Sequence, residues 1–374
     1  MCIRDRCGSG RTVAVVEDWL EKKLAEASIT SKRVSQTRYL EQYGSENFVI
    51  DFDIEKLIIQ LRRGAGDTEL IPPSDEIDLG DRFTRNYGFW SQQEQDALRT
   101  SRVAIAGVGG DGYQLGLSLV RMGVRSLTIA DPEVFEVENM NRVPGARVEN
   151  IGRLKTDCFV EDARRIDPDV SIHVLNAGVD KSNVRELVDG ADLVLDESEL
   201  TSVELGAMIS DEARRQNVPV LIVMNVGFAG QVTAFDPAGP GYREMMGIPD
   251  DEPIDAVAKR TLDLSRCLAY VPPYADPSAL GAVLDGAPLP SIVQGVNQAV
   301  ALGSSQAFLW LTRSVLNNRP APVAFPSVQF VDSLSGESRI VDSVVESYGR
   351  SLTDMAENAA AGKNPIVTYP ALGG

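Results

Sequence analysis

Histidine is nearly absent from this chain: His173 is the only one in 374 residues. A metal centre built on paired histidines and a Ser-His triad with a partner histidine are therefore excluded. His173 alternates with Ile172 and Val174 and reads as a sheet-face residue. Cysteine is scarce too, and Cys2, Cys7, Cys158 and Cys267 form no C-x-x-C pairs, so neither a zinc ribbon nor a disulfide framework is indicated. No zinc is expected, and a reducing cytoplasm fits that usage. The three tryptophans, Trp19, Trp90 and Trp310, lie too far apart to suggest a stacking platform. Basic residues are outnumbered 36 to 54, a net charge of −18 that argues against a broad phosphate-backbone surface. Nucleic acid, including a modified tRNA base, is not an expected partner.

Long apolar runs are also missing. The longest, Ile292 to Leu316, is interrupted by Gln294, Asn297, Gln298, Ser304, Ser305 and Gln306, and reads as a buried helix, not a membrane span. Met1 to Gly10 has no apolar h-region, so it is expected to be a disordered end and not a signal peptide. No membrane segment is expected.

What is present is a hydrophobic content of 43%, enough for one large or two modest domains. Val16, Trp19, Leu20 and Leu24 recur at helical spacing within Val15 to Ala27, and Ile54, Leu57, Ile58 and Leu61 do so within Asp53 to Arg63. Two amphipathic helices are expected there. The breaker-rich stretch Ile71 to Glu76 makes residues 1–79 an accessory helical segment with a linker. Residues 80–235 then alternate strand and helix, predicting a doubly wound, mostly parallel, Rossmann-like α/β sheet with helices on both faces. Residues 236–290, rich in Pro, Gly and Asp, read as a loop-rich substrate subdomain, in which Met245-Met246 closes a hydrophobic patch. Residues 291–374 read as a return helix, a closing hairpin through Ser335-Gly336, and a tail.

The chemistry concentrates between Arg102 and Lys155. The strand Val103 to Ala106 runs into Gly107-Val108-Gly109-Gly110-Asp111-Gly112 and a helix. Such a turn lets backbone N–H groups approach phosphate, and the helix N-terminus adds favourable partial charge. Asp131, ending the next strand, can accept from ribose hydroxyls. Those two features fit NAD as well as ATP, and an NAD-binding oxidoreductase is one reading. Arg142 and Lys155, converging beside the turn, favour phosphoryl or nucleotidyl transfer, because cations there neutralise charge developing on a transferring phosphate.

Taken in order, Arg82-Phe83-Thr84-Arg85, the glycine turn, Asp131-Pro132-Glu133, Asn139-Met140-Asn141-Arg142, Lys155 and the second glycine turn Gly227 to Val232 resemble the ThiF/MoeB/HesA family. That fold is shared with ubiquitin-activating enzymes, and the resemblance covers Arg82 to Gly230 and, more faintly, the Ser291 helix. It implies ATP-dependent adenylation of the C-terminal carboxylate of a small carrier protein or peptide, with release of pyrophosphate. It further implies nucleotide binding by Gly107, Gly109, Gly110, Gly112, Asp131, Glu133, Asn139, Arg142 and Lys155, and a homodimer in which Arg85 reaches the partner's site. Arg142, Lys155, Arg85 and Glu199 are the implied catalytic residues.

Two departures stand out. Where the family has Asp-x-x-Asp-Asn and then an arginine, this chain reads Asp196-Glu197-Ser198-Glu199-Leu200, with Glu204 in the arginine's place. Magnesium is expected on Glu199 and Asp196, although the longer stem of Glu199 shifts its oxygen and magnesium is strict about octahedral geometry. A non-catalytic ATP-binding relative is the corresponding alternative. Cys267 is the cysteine placed to act as a thioester nucleophile, against the commoner reading of a buried inert thiol.

Overall fold

The computed structural model describes residues 82–342 apart from 200, 261–265, 271, 273, 277–288 and 316–317, and the backbone of four strands between residues 30 and 63. The chain divides into two units, Met1–Thr84 and Arg85–Gly374.

In the first unit, β1 (Thr30–Arg33), β2 (Arg38–Tyr43), β3 (Glu46–Asp53) and β4 (Ile58–Arg63) form an antiparallel sheet in sequence order. Phe48 pairs with Arg63 and Asp53 with Ile58, so Asp53 to Arg63 closes a hairpin and is not the expected helix. The helical spacing of Ile54, Leu57, Ile58 and Leu61 was misleading. The adjacent β-branched pair Ile58-Ile59 suits a strand better than a helix. The helix expected over Val15 to Ala27 and the tail beyond residue 342 lie outside the described residues, as do Met1 to Gly10.

The second unit opens with α1 (Gln92–Thr100), started by a reciprocal capping box between Ser91 and Glu94. Then β5 (Arg102–Ala106), α2 (Gly110–Met122), β6 (Ser126–Ala130), α3 (Lys155–Ile166), β7 (Ser171–Leu175), α4 (Val184–Val188), β8 (Leu193–Asp196), α5 (Val203–Arg215) and β9 (Val220–Val226) alternate. The chain continues through β10 (Ala229–Phe235), the short helices α6 (Tyr242–Met246) and α7 (Ile254–Val257), the long α8 (Val293–Thr312), and the hairpin β11 (Ser327–Asp332) and β12 (Ser338–Asp342). These strands make one sheet in the order β12-β11-β10-β9-β8-β5-β6-β7. The five strands from β9 to β7 are parallel, and β10, β11 and β12 extend the sheet antiparallel.

Two cores cover the faces. One packs Leu98, Leu115, Leu119, Phe159, Ala299 and Trp310 from α1, α2, α3 and α8, and the other packs Leu187, Ala207, Ile209, Tyr242 and Met246 from α4, α5 and α6. Four of the five residues of β5 are buried, the signature of a central parallel strand covered on both sides. Strand order reverses around β5, with β6 on one side and β8 on the other, so a crevice opens at its carboxyl end. The helix α8 seals the far side of that crevice through small residues. A Cβ on Gly295 would meet the Gly227 carbonyl at 2.2 Å, and one on Gly230 would meet the Ala299 backbone at 2.4 Å. Among the described residues, no helix is long and apolar enough to cross a membrane.

Candidate active site

The glycine turn occupies the crevice. Gly107 leaves β5 with φ +93°, a left-handed conformation that favours glycine, and its N–H donates to the Ala130 carbonyl at 2.7 Å. A Cβ there would lie 2.2 Å from the Glu197 carbonyl, and one on Gly112 would lie 2.0 Å from the Gly107 carbonyl. These two glycines let the turn fold onto itself. Gly109 and Gly110 differ: a Cβ on Gly109 has nothing closer than Lys155 Nζ at 3.9 Å, and one on Gly110 nothing closer than Arg142 Nε at 3.7 Å. Space remains over the turn, and the atoms facing it are the two cationic groups and Val296 Cγ2, 3.9 Å from the Gly110 position.

Asp131 supports the turn from β6. Its Oδ2 accepts from Val108 N–H and its Oδ1 from Glu133 N–H, each at 2.8 Å. Burial pushes its carboxyl up, opposed by those backbone bonds and by nearby Lys155. Each oxygen keeps a second acceptor direction. Lys155, 6% exposed at the start of α3, pairs through Nζ with the Glu133 carboxylate, and its N–H donates to the Glu133 carbonyl. Glu133 itself is exposed, so the ammonium is held on an anion that can swing away into solvent.

Between Glu133 and Lys155 the chain makes two 3₁₀ turns, Val137–Asn141 and Val148–Asn150. Asn139 is buried there, its Oδ1 accepting from Glu136 N–H at 3.1 Å, so it shapes the turn that carries Arg142. Arg142 Nη1 donates to the Glu138 carbonyl at 3.0 Å and to Asn141 Oδ1 at 2.8 Å, leaving Nε and Nη2 for a ligand.

The expected magnesium residues are less closely gathered. Asp196 is buried at the end of β8, accepting from Ser198 Oγ at 2.6 Å, whereas Glu199 is exposed and Leu200 lies outside the described residues. No group of three or more His, Cys, Asp or Glu side chains among the described residues is arranged to hold a metal ion. Magnesium in nucleotide sites is commonly held by one or two carboxylates with waters and phosphates, so Asp196 and Glu199 suffice in kind. Arg85 is exposed in the turn before α1. Cys267, 3% exposed, packs in the core with its thiol 3.2 Å from Met246 Sδ, and Cys158 is fully buried. Met245 and Met246 are both core residues, and His173 contacts Glu186 at the surface.

Three groups at the site escaped sequence reasoning. Asp111, inside the glycine turn, is buried, and desolvation pushes its carboxyl up to about 7. Glu197 folds under the turn, its Oε1 accepting from Val223 N–H at 3.1 Å. Burial, and then the neighbouring Asp111 and Asp196, hold its carboxyl well above the ordinary range. Asn225, near the end of β9, donates through Nδ2 to Asp111 Oδ2 at 2.7 Å. An acid inside a glycine turn was the available signal.

A profile of the ThiF family matches residues 83–330, spanning the whole of this site. The chain belongs to the ThiF family. It is 34% identical over 149 residues to the SAMP-activating enzyme E1 of Haloferax volcanii, a match covering 40% of this chain and 54% of that protein. It is 26% identical over 153 residues to the molybdopterin-synthase adenylyltransferase of Haemophilus influenzae, covering 40% and 62%. The chain thus spans about half to three-fifths of the length of these relatives. Among solved structures, Escherichia coli MccB with MccA superposes with a TM-score of 0.53 at 15% identity, covering 72% of this chain and 73% of that one. PaaA superposes at 0.52 and 16% identity, covering 75% and 77%. These likenesses bear on the fold, which is Rossmann-like and shared by this ThiF-family chain.

Proposed function

We propose that this protein adenylates the C-terminal carboxylate of a small carrier protein or peptide with ATP. A carboxylate oxygen attacks the α-phosphorus, a new P–O bond forms as the bond to the bridging oxygen breaks, and pyrophosphate leaves with the electron pair. The product is an acyl adenylate. The observation that carries this reading is the pair of cations, Lys155 and Arg142, at the open positions Gly109 and Gly110 of the turn. An NAD-dependent reaction has no use for both. The names of the adenylating relatives support the same chemistry.

Each side chain has a task in this scheme. Gly109 and Gly110 let phosphate oxygens reach the backbone N–H groups at the start of α2. Lys155 exchanges Glu133 for a phosphate, and Arg142 turns Nε and Nη2 toward the departing pyrophosphate. Asp131 offers its remaining acceptor directions to the ribose, and Asn139 keeps the Arg142 turn in shape. Asp196 and Glu199 would hold Mg²⁺, which supplies charge neutralisation on the phosphates. Arg85, exposed in the surface turn, is assigned to the partner's site of a homodimer, and the scarcity of cysteine suits a reducing cytoplasm.

The exposure of Glu199 favours one second reading, a relative that binds ATP without turning it over. ATP–pyrophosphate exchange with candidate carriers separates the two. Carrier-dependent exchange lost in Lys155→Ala and Arg142→Ala is the expected result. ATP binding without exchange for any carrier supports the second reading.

A further inference from the structure

Asp111 lies in the first turn of α2, 9% exposed, with one carboxylate oxygen bound to Asn225 and the other, Oδ1, without a hydrogen-bond partner. A carboxylate in such a place costs free energy unless it organises something. From Asn225 a path of hydrogen bonds leads back to the glycine turn. Ser291 Oγ donates to Asn225 Oδ1 at 2.8 Å, and Asn141 Nδ2 donates to the Ser291 carbonyl at 2.9 Å. Arg142 Nη1 completes it by donating to Asn141 Oδ1 at 2.8 Å.

The path has a single sense. Asn225 presents its amide N–H₂ to Asp111 Oδ2 and its oxygen to Ser291 Oγ, the arrangement that an ionised Asp111 requires. At the other end, a guanidinium only donates and the Ser291 carbonyl only accepts, which fixes the Asn141 amide the same way. Asp111 therefore holds the Asn225 amide on β9, Asn225 anchors Ser291 at the entry to α8 through its Oγ, and the Ser291 carbonyl holds the Asn141 amide that accepts from Arg142. Arg142 and Asn225 draw the Asp111 carboxyl down against the larger effect of burial, while Glu197 beneath the turn is the other acid facing it.

We propose that Asp111 is a positioning residue that holds the Arg142 guanidinium over the glycine turn through Asn225, Ser291 and Asn141. Its consequence for ATP rests on the adenylation reading, whereas its geometry does not.

The test uses the full chain labelled with ¹⁵N-arginine, the Arg142 Nη–H signals being assigned by their loss in Arg142→Lys. Asp111→Leu removes the acceptor, Ser291→Ala breaks the path midway, and Asp111→Asn keeps an acceptor oxygen for Asn225. Solvent exchange of the Arg142 Nη–H protons should speed up about fivefold in Asp111→Leu and Ser291→Ala, the worth of one ordinary hydrogen bond at the Nη1–Asn141 contact, and stay near wild type in Asp111→Asn. ATP affinity, measured by calorimetry, should fall by a similar factor in the same two variants. Adding Arg142→Ala to Asp111→Leu should then cost markedly less than Arg142→Ala does alone. Unchanged arginine exchange in Ser291→Ala, full multiplication of the Asp111→Leu and Arg142→Ala effects, or Asp111→Asn behaving like Asp111→Leu would each overturn the proposal. If Asp111→Leu does not fold, Ser291→Ala and Asp111→Asn decide it. Wild-type protein that binds no ATP, yet shows the exchange pattern, would sink the adenylation reading and leave the positioning role standing.

Discussion

Two glycines three positions apart should respond in opposite ways to one methyl group. In Gly112→Ala the new Cβ would sit 2.0 Å from the Gly107 carbonyl oxygen and 3.1 Å from Glu197 Cβ. The oxygen is backbone, pinned because Gly107 N–H donates to Ala130, so the turn must deform. Overpacking of this kind costs roughly 1–3 kcal/mol. At about 2–4 °C per kcal/mol for a unit of this size, Tm should fall by about 2–12 °C. In Gly109→Ala the methyl meets nothing nearer than Lys155 Nζ at 3.9 Å. Gly109 is the N-cap of α2, where alanine is a poorer residue by about 1 kcal/mol, so Tm should drop by no more than about 4 °C. That methyl nonetheless fills the space assigned to phosphate, and ATP affinity should fall at least about tenfold, or 1.4 kcal/mol. Scanning calorimetry and ATP titration on both variants measure the contrast. Gly109→Ala binding ATP like wild type would refute the phosphate cradle, and Gly112→Ala with an unchanged Tm would refute the packing of the turn.

Glu133→Gln should tighten ATP binding about two- to fivefold at low salt, because Lys155 no longer has to leave an exposed carboxylate worth at most about 1 kcal/mol; weaker binding would show that Glu133 assists the nucleotide directly. Glu94, hydrogen-bonded first by Arg319 and then by Ser91, has its carboxyl lowered to about 2. A carboxylate depressed in the folded state stabilises above its ordinary value of 4.5 and loses that contribution as pH falls toward 2. Glu94→Gln should therefore cost stability at pH 7 and lose less than wild type on acidification, in denaturant titrations at both pH values. Cys267→Ala should keep full exchange activity, and iodoacetamide should label Cys267 only after unfolding, since the thiol lies in the core against Met246; abolished activity in a folded Cys267→Ala would reinstate the thiol as a nucleophile.

The Rossmann-like unit was legible because its signals are local and repeated. Apolar strands such as Val103 to Ala106 and Val220 to Val223 stand between amphipathic helices, and the structure keeps nearly every such segment. The four-stranded sheet was not, since Ile54, Leu57, Ile58 and Leu61 satisfy a helical period by coincidence, and only pairing with Glu46–Asp53 decides for a strand. At the site, Gly107, Asp131, Lys155 and Arg142 could be named because the chemistry fixes their types. Their uses in the resting protein were less visible: Asp131 braces the turn, Glu133 holds Lys155, and Asn139 caps a 3₁₀ turn. Asp111, Asn225 and Ser291 come from three distant stretches and meet only when α8 docks over β9. No single stretch of sequence could have shown that path.

The central claim is that Lys155 and Arg142 face the phosphates of ATP during carboxylate activation. Carrier-dependent ATP–pyrophosphate exchange by wild type, Lys155→Ala and Arg142→Ala, each checked for folding by its Tm, tests it most directly. Loss of exchange by about a hundredfold or more in each folded variant is the expected result, the scale seen when one preorganised charge-stabilising group is removed. Undiminished exchange in both variants would contradict it.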